Sequence, residues 1–191
     1  MPLVHLSSYK RDKLAYSEYK RRFYLQPDVG TKVQAYDVDV TGPGSQYFKD
    51  VYSGRQGRRS ADGVYAGSFQ RKGRTIYFVL IIELEGHTSF EDAAEQVKST
   101  MEHFSADFLD ATLKDDGTRH HEQARQESCP YPVDREHLVA GIVIGSTSRP
   151  GALIRYKKWP IVCLSSRQPV QGISPLALFE QISAYTGQRF W

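Results

Sequence analysis

The stretch TIYFVLIIELE, residues 75 to 85, constrains the fold of this chain more than any other segment. Every residue from Ile76 to Ile82 is apolar or aromatic, and most are the branched or ring-bearing types that suit a pleated strand. The run is far shorter than the ~20 residues of a membrane-spanning helix, so it reads as a strand of the core. Two carboxylates close it, Glu83 and Glu85. Acids at the exit of a buried strand cost desolvation unless something compensates, often a metal ion. Strand side chains alternate between faces, so Glu83 and Glu85 share one face and Leu84 takes the other.

Upstream, ADGVYAGSF (61–69) has the pattern of a second strand, and the polar connector QRKGR contains Gly73. Together they predict a β-hairpin. A tight turn around Lys72 and Gly73 pairs residues whose numbers sum to 145, which sets Asp62 opposite Glu83. A slip of one residue would reverse that face relation. In the tight register three acids converge at one end of the ribbon, and a hard cation such as magnesium relieves their repulsion. The plainer alternative is a solvated strand end with Asp62 in a turn.

The remaining elements follow from period and punctuation. The basic, aromatic segment KRDKLAYSEYKRRFYLQPD suggests a short helix up to Tyr24, ended by Pro27 and Gly30. Gln34 to Val40 alternates as a strand, and Ser53 to Ser60 is a Gly- and Arg-rich loop. Phe90, Ala94, Val97, Met101, Phe104 and Phe108 form one apolar helical face, with Ser89 as N-cap and Glu91 and Asp92 in the first turn. Residues 114–132 read as an exposed loop insertion. His137 to Ser146 is apolar enough for a buried strand, and Lys157 to Ser166 is another, entered through Pro160. SPLALFEQISAYTG closes the series as a helix, with Ser174 as N-cap, Pro175 at the first position and Gly187 as C-cap. The sum is one α/β domain over 1–191: an N-terminal extension (1–50) and a core (51–191) with a mixed central β-sheet flanked by helices.

Hydrophobic content of 40% with 25% charged residues is ordinary for a soluble globular protein. A formal charge of +3 permits nucleic acid as a partner without requiring it. Cys129 and Cys163 are too few for a disulfide framework or zinc cluster, and read as reduced thiols. The opening MPLVHLSSYKRDK has no apolar segment suited to a signal peptide. These readings point to a cytoplasmic protein that does not engage membranes. No sequence signal addresses oligomeric state.

An acid-bearing strand, a hairpin turn, a hydrophobic strand ending in Glu-X-Lys and a helix behind it resemble the PD-(D/E)XK nuclease superfamily. Asp62 matches the first acid, Glu83 the second, and Glu85 stands where Lys is usual. Gln96, in EQVKSTMEHF, falls where several branches carry Gln, and ELEGHTSFEDAAEQVKST looks like the ELKG-then-helix pattern of bacterial members. The resemblance covers about Ala61 to Ser166. It implies a restriction-endonuclease-like core, Mg2+ (or Mn2+) held by Asp62 and Glu83, and hydrolysis of nucleic-acid phosphodiesters. It also implies catalytic roles for Asp62, Glu83 and Glu85, with Gln96 in support. Glu85 departs from the pattern, because the usual Lys orients the attacking water; some active members carry Glu there. Lys98 on the helix is a candidate displaced cation, or simply a solvated helix residue.

Basic residues cluster beside this block. Arg55, Arg58 and Arg59 immediately precede Asp62 and are expected to hold the phosphate backbone. Lys10, Arg11, Lys13, Lys20, Arg21 and Arg22 intersperse with Tyr16, Tyr19, Phe23 and Tyr24, and Lys157 and Lys158 precede Trp159. His87, His103, His120 and His121 lack metal-ligand spacing. The rival expectation is an inactive relative that binds nucleic acid or a protein partner in a defence or immunity setting. The missing Lys and the modest charge favour that rival, and the three acids favour the enzyme.

Overall fold

The structure is a computed structural model; it describes residues 10–11, 13–18, 21–38, 60–85, 88–108, 137–145, 150–165 and 172–191. These residues form an α/β fold with one mixed sheet, a two-stranded ribbon and two helices. In chain order the strands are β1 (Lys10–Arg11), β2 (Ala15–Glu18), β3 (Arg21–Tyr24), β4 (Lys32–Asp37), β5 (Gly63–Arg71), β6 (Arg74–Leu84), β7 (His137–Ile144), β8 (Leu153–Tyr156) and β9 (Trp159–Leu164). The helices are α1 (Phe90–Phe108) and α2 (Pro175–Thr186). The sheet runs β1-β4-β5-β6-β7-β9-β8, while β2 and β3 pair with each other. No described helix is long and apolar enough to cross a membrane.

The hairpin forms in the register expected from its turn. Lys72 and Gly73 both take positive φ, 47° and 74°, as a two-residue turn of the I′ kind demands. Gly63 consequently pairs with Ile82 and Arg71 with Arg74. On its other edge β6 pairs in parallel with β7, from Tyr77–His137 to Leu84–Ile144. Paired on both edges and covered on both faces, β6 can be continuously apolar. Parallel strands need a crossover connection, and α1 lies within it.

Alternation along β6 divides the interior. Val79 and Ile81 pack with Ala93, Ala94, Val97 and Met101 of α1. Phe78, Leu80, Ile82 and Leu84 face the opposite way, toward Leu178, Phe179 and Ile182 of α2 and toward Tyr16, Phe23 and Leu25. Helix α1 is capped as expected: Ser89 Oγ accepts from Asp92 N–H at 3.1 Å. Ser174 Oγ accepts from Ala177 N–H at 3.3 Å at the start of α2, and Gly187 ends it at φ 66°. The side chains of Phe104 and Phe108 lie outside the described residues, as do residues 114–132.

The expected N-terminal helix is overturned. The segment up to Tyr24 is no helix but the β2–β3 ribbon, in which Tyr16 pairs with Phe23. Aromatic side chains suit a strand, and the alternation buries Tyr16 and Phe23 while Ser17 and Arg22 stay exposed. The Tyr16 hydroxyl donates to the Tyr36 carbonyl and accepts from Tyr36 N–H at 3.1 Å, which anchors the ribbon to the sheet. Gly63 makes room for that ring, since a Cβ there would fall 2.0 Å from Tyr16 Cζ. The sheet also begins before residue 51, because β4 pairs along its whole length with β5.

The last strands form a second hairpin, β8–β9, turning at Lys157 and Lys158. Pro160 lies inside β9, not at its entrance. Pairing with β7 starts only at Ile161, so no ladder bond on that edge is lost to the missing N–H.

Candidate active site

The hairpin register brings Asp62 to the C-terminal end of β6. Asp62 immediately precedes β5, and its Oδ2 accepts the Leu84 N–H at 2.6 Å. The side chain thus continues, by one bond, the ladder that β5 itself has left. Glu83 points to the α1 face and is only 4% exposed. Gln96 Nε2 donates to Glu83 Oε1 at 2.8 Å, and Glu83 Oε2 is buried as well. Glu83 of β6 and Gln96 of α1 are thus joined directly, and Asp62, just before β5, is bonded to the main chain of the next residue, Leu84.

Helix α1 grips this cluster in a second place. Ala61 N–H donates to Thr100 Oγ1 at 2.8 Å, and the Thr100 hydroxyl donates to the Gln96 carbonyl at 3.0 Å. Thr100 is fully buried, and it ties the residue before Asp62 to the turn that carries Gln96. Sequence reasoning missed it. The available signal was its position four residues after Gln96, which puts both side chains on one helical face.

Glu85 continues β6 beyond its last strand residue, and its N–H donates to the Ile144 carbonyl at 2.8 Å. Its Oε1 accepts from Thr88 N–H at 3.1 Å, so this carboxylate shapes the turn into α1. Lys98 is not brought to the acids. It lies about 200° around the helix from Gln96, and its Nζ pairs with Glu95 Oε1 at 3.1 Å on the solvent side. Arg55, Arg58 and Arg59 lie outside the described residues, as does His87.

The donors suit a hard cation. Asp62 and Glu83 offer carboxylate oxygens from adjacent strands, the ligand chemistry of magnesium and manganese. Among the described residues, no group of three or more His, Cys, Asp or Glu is gathered to hold a metal. A pair of carboxylates fits magnesium, which keeps several waters and commonly takes one or two protein carboxylates. Arg21 also comes to this strand end: a Cβ on Gly145 would lie 2.6 Å from Arg21 Nε and 2.8 Å from the Glu85 carbonyl oxygen. Comparison with family models, curated proteins and solved structures finds no match to this chain.

Proposed function

We propose that the chain is a metal-dependent phosphodiester hydrolase acting on nucleic acid, with a restriction-endonuclease-like core. The observation that carries this reading is the buried Glu83 held by Gln96, beside an Asp62 fixed to the Leu84 N–H at the same strand end. The order of elements supports it too: antiparallel β4, β5 and β6, then α1, then β7 parallel to β6. Asp62 and Glu83 would hold Mg2+ or Mn2+, which when bound lowers the pKa of a water and offsets charge on the phosphoryl oxygens. Gln96 holds the Glu83 carboxylate in one orientation. Glu85 would take the proton from the attacking water. The oxygen of the water would bond to phosphorus as the P–O ester bond breaks, and the leaving oxygen would take a proton from solvent while Glu85 returns its own to solvent, giving a phosphomonoester and a hydroxyl.

A second reading, an inactive fold of this kind that binds nucleic acid or a protein, is favoured by one observation. Lys98 pairs with Glu95 on solvent-facing helix surface and not with the acids. The two readings separate in a thermal melt with magnesium, manganese or calcium, run on wild type and Glu83→Ala. An ion at ~100 times its Kd stabilises the folded state by about 2.7 kcal/mol. A raised midpoint in wild type that disappears in Glu83→Ala, together with ion-dependent cleavage of an oligonucleotide, is the expected result. No shift for any ion at tens of millimolar, with nucleic-acid association that survives chelation, would sink the hydrolase in favour of the binder.

A further inference from the structure

We infer that Thr100 is a positioning residue that holds the Asp62 and Glu83 carboxylates at a fixed separation, and so governs the affinity for the metal; the inference rests on the hydrolase reading above. The bonds around the two acids close into a circuit that Thr100 completes. Asp62 Oδ2 accepts from Leu84 N–H at 2.6 Å, and Leu84 follows Glu83 in the chain. Glu83 Oε1 accepts from Gln96 Nε2 at 2.8 Å. Thr100 Oγ1 donates to the Gln96 main-chain carbonyl at 3.0 Å and accepts from Ala61 N–H at 2.8 Å, and Ala61 precedes Asp62.

The circuit matters at Asp62 because that residue stands outside the regular pairing of the sheet. Strand β5 pairs with β4 and with β6 only from Gly63 onward. The side-chain bond to Leu84 N–H and the neighbouring Ala61 bond to Thr100 hold the acid in place. A cation drawn to both carboxylates would compete with the Leu84 N–H for Asp62. The Thr100 bond lies on the main chain, away from that competition, and keeps the start of β5 against α1. A hydroxyl suits this place because it donates and accepts at once. Valine has nearly the same shape, but it would take this acceptor from a buried N–H.

Helix α1 gives Thr100 a fixed mount. Gly141 of β7 lies beneath the helix, where a Cβ would fall 2.3 Å from Val97 Cγ1 and 3.1 Å from Met101 Cε. Val97, Thr100 and Met101 are all buried. The circuit therefore joins β6, α1 and the start of β5 where the helix cannot slide without repacking. Partners that orient the ligands of a metal change its affinity about 10–100-fold when they are lost.

Calorimetric titration of Mn2+ into the folded protein tests the assignment, beside a thermal melt and the Mg2+ dependence of oligonucleotide cleavage. Thr100→Val should bind Mn2+ about tenfold more weakly and need about tenfold more Mg2+ for half-maximal cleavage. Thr100→Ser keeps the hydroxyl and should bind within about twofold of wild type. Val97→Ala removes packing from the same helix but leaves the circuit whole, so it should melt lower and bind Mn2+ as wild type does. Thr100→Cys, whose thiol donates and accepts only weakly, should also lose affinity, and it replaces Thr100→Val if that protein does not fold. Wild-type affinity in a folded Thr100→Val or Thr100→Cys protein would overturn the assignment while leaving the hydrolase reading intact. An equal loss in Thr100→Ser or Val97→Ala would do the same. A wild type that neither binds Mn2+ nor cleaves would overturn both.

Discussion

Ile82 and Glu83 are neighbours in β6 and almost equally buried, yet they look onto opposite faces of the sheet. On the Ile82 side the interior is sealed by rings. Phe69, Phe78 and Phe179 meet at centroid distances of 5.8 to 6.1 Å, with Phe190 packed on Phe179. On the Glu83 side the interior starts in the same way, with Val79 and Ile81, and then changes character at the strand end. There the buried Glu83 carboxylate accepts from the half-buried Gln96 amide, and the buried Thr100 hydroxyl donates to the Gln96 main-chain carbonyl. An apolar strand end would serve the fold at least as well, because removing charge from a buried site is often neutral or stabilising. The polar end of the α1 face is thus the place where this sequence departs from what stability alone asks.

That contrast can be broken from either side. Phe78→Ala should be the most damaging change, about 3–5 kcal/mol by urea denaturation, since it empties the centre of the ring cluster. A loss near 1 kcal/mol would mean that the α2 face is not the main source of stability. Thr100→Val should cost about 1–3 kcal/mol, because the Ala61 N–H keeps its burial and loses its acceptor. If it proves neutral, the α1 grip on the start of β5 is ornamental.

Glu83→Gln sharpens the comparison most. It keeps shape and an acceptor for Gln96, so stability should stay within about 1 kcal/mol of wild type while cleavage is lost. Cleavage at the wild-type rate would remove Glu83 from the chemistry. Lys98→Ala should change stability by less than about 0.5 kcal/mol and leave cleavage intact, as expected of an exposed pair. A large loss of cleavage would return Lys98 to the site.

The hairpin and the helix face were legible because each rests on local rules. Lys72 and Gly73 fixed the register, and the spacing of Phe90, Ala94, Val97 and Met101 fixed the side of α1 that meets the sheet. The ribbon was not legible. Its aromatic residues alternate with basic ones closely enough to satisfy a helical period, and what decides for strands is packing against Tyr65 and bonding to Tyr36, distant in sequence. The carboxylate cluster lay in between. Its register followed from the turn, but the partners did not: Leu84 N–H for Asp62 and Thr88 N–H for Glu85 are main-chain donors that leave no trace in residue type.

The turn at Lys72 and Gly73 also makes the chain unequally tolerant of changes in length. It stands at the far end of the hairpin, roughly 30 Å from Asp62 at ~3.3 Å per strand residue. One residue added there would shift β5 against β6 and turn either Asp62 or Glu83 to the other face, unless a bulge absorbed it on the way. Two added residues would restore the facing but still part the two carboxylates. Insertions and deletions at this remote loop would therefore part Asp62 from Glu83, and a chain that needs the two acids together should tolerate changes there in residue type before changes in number.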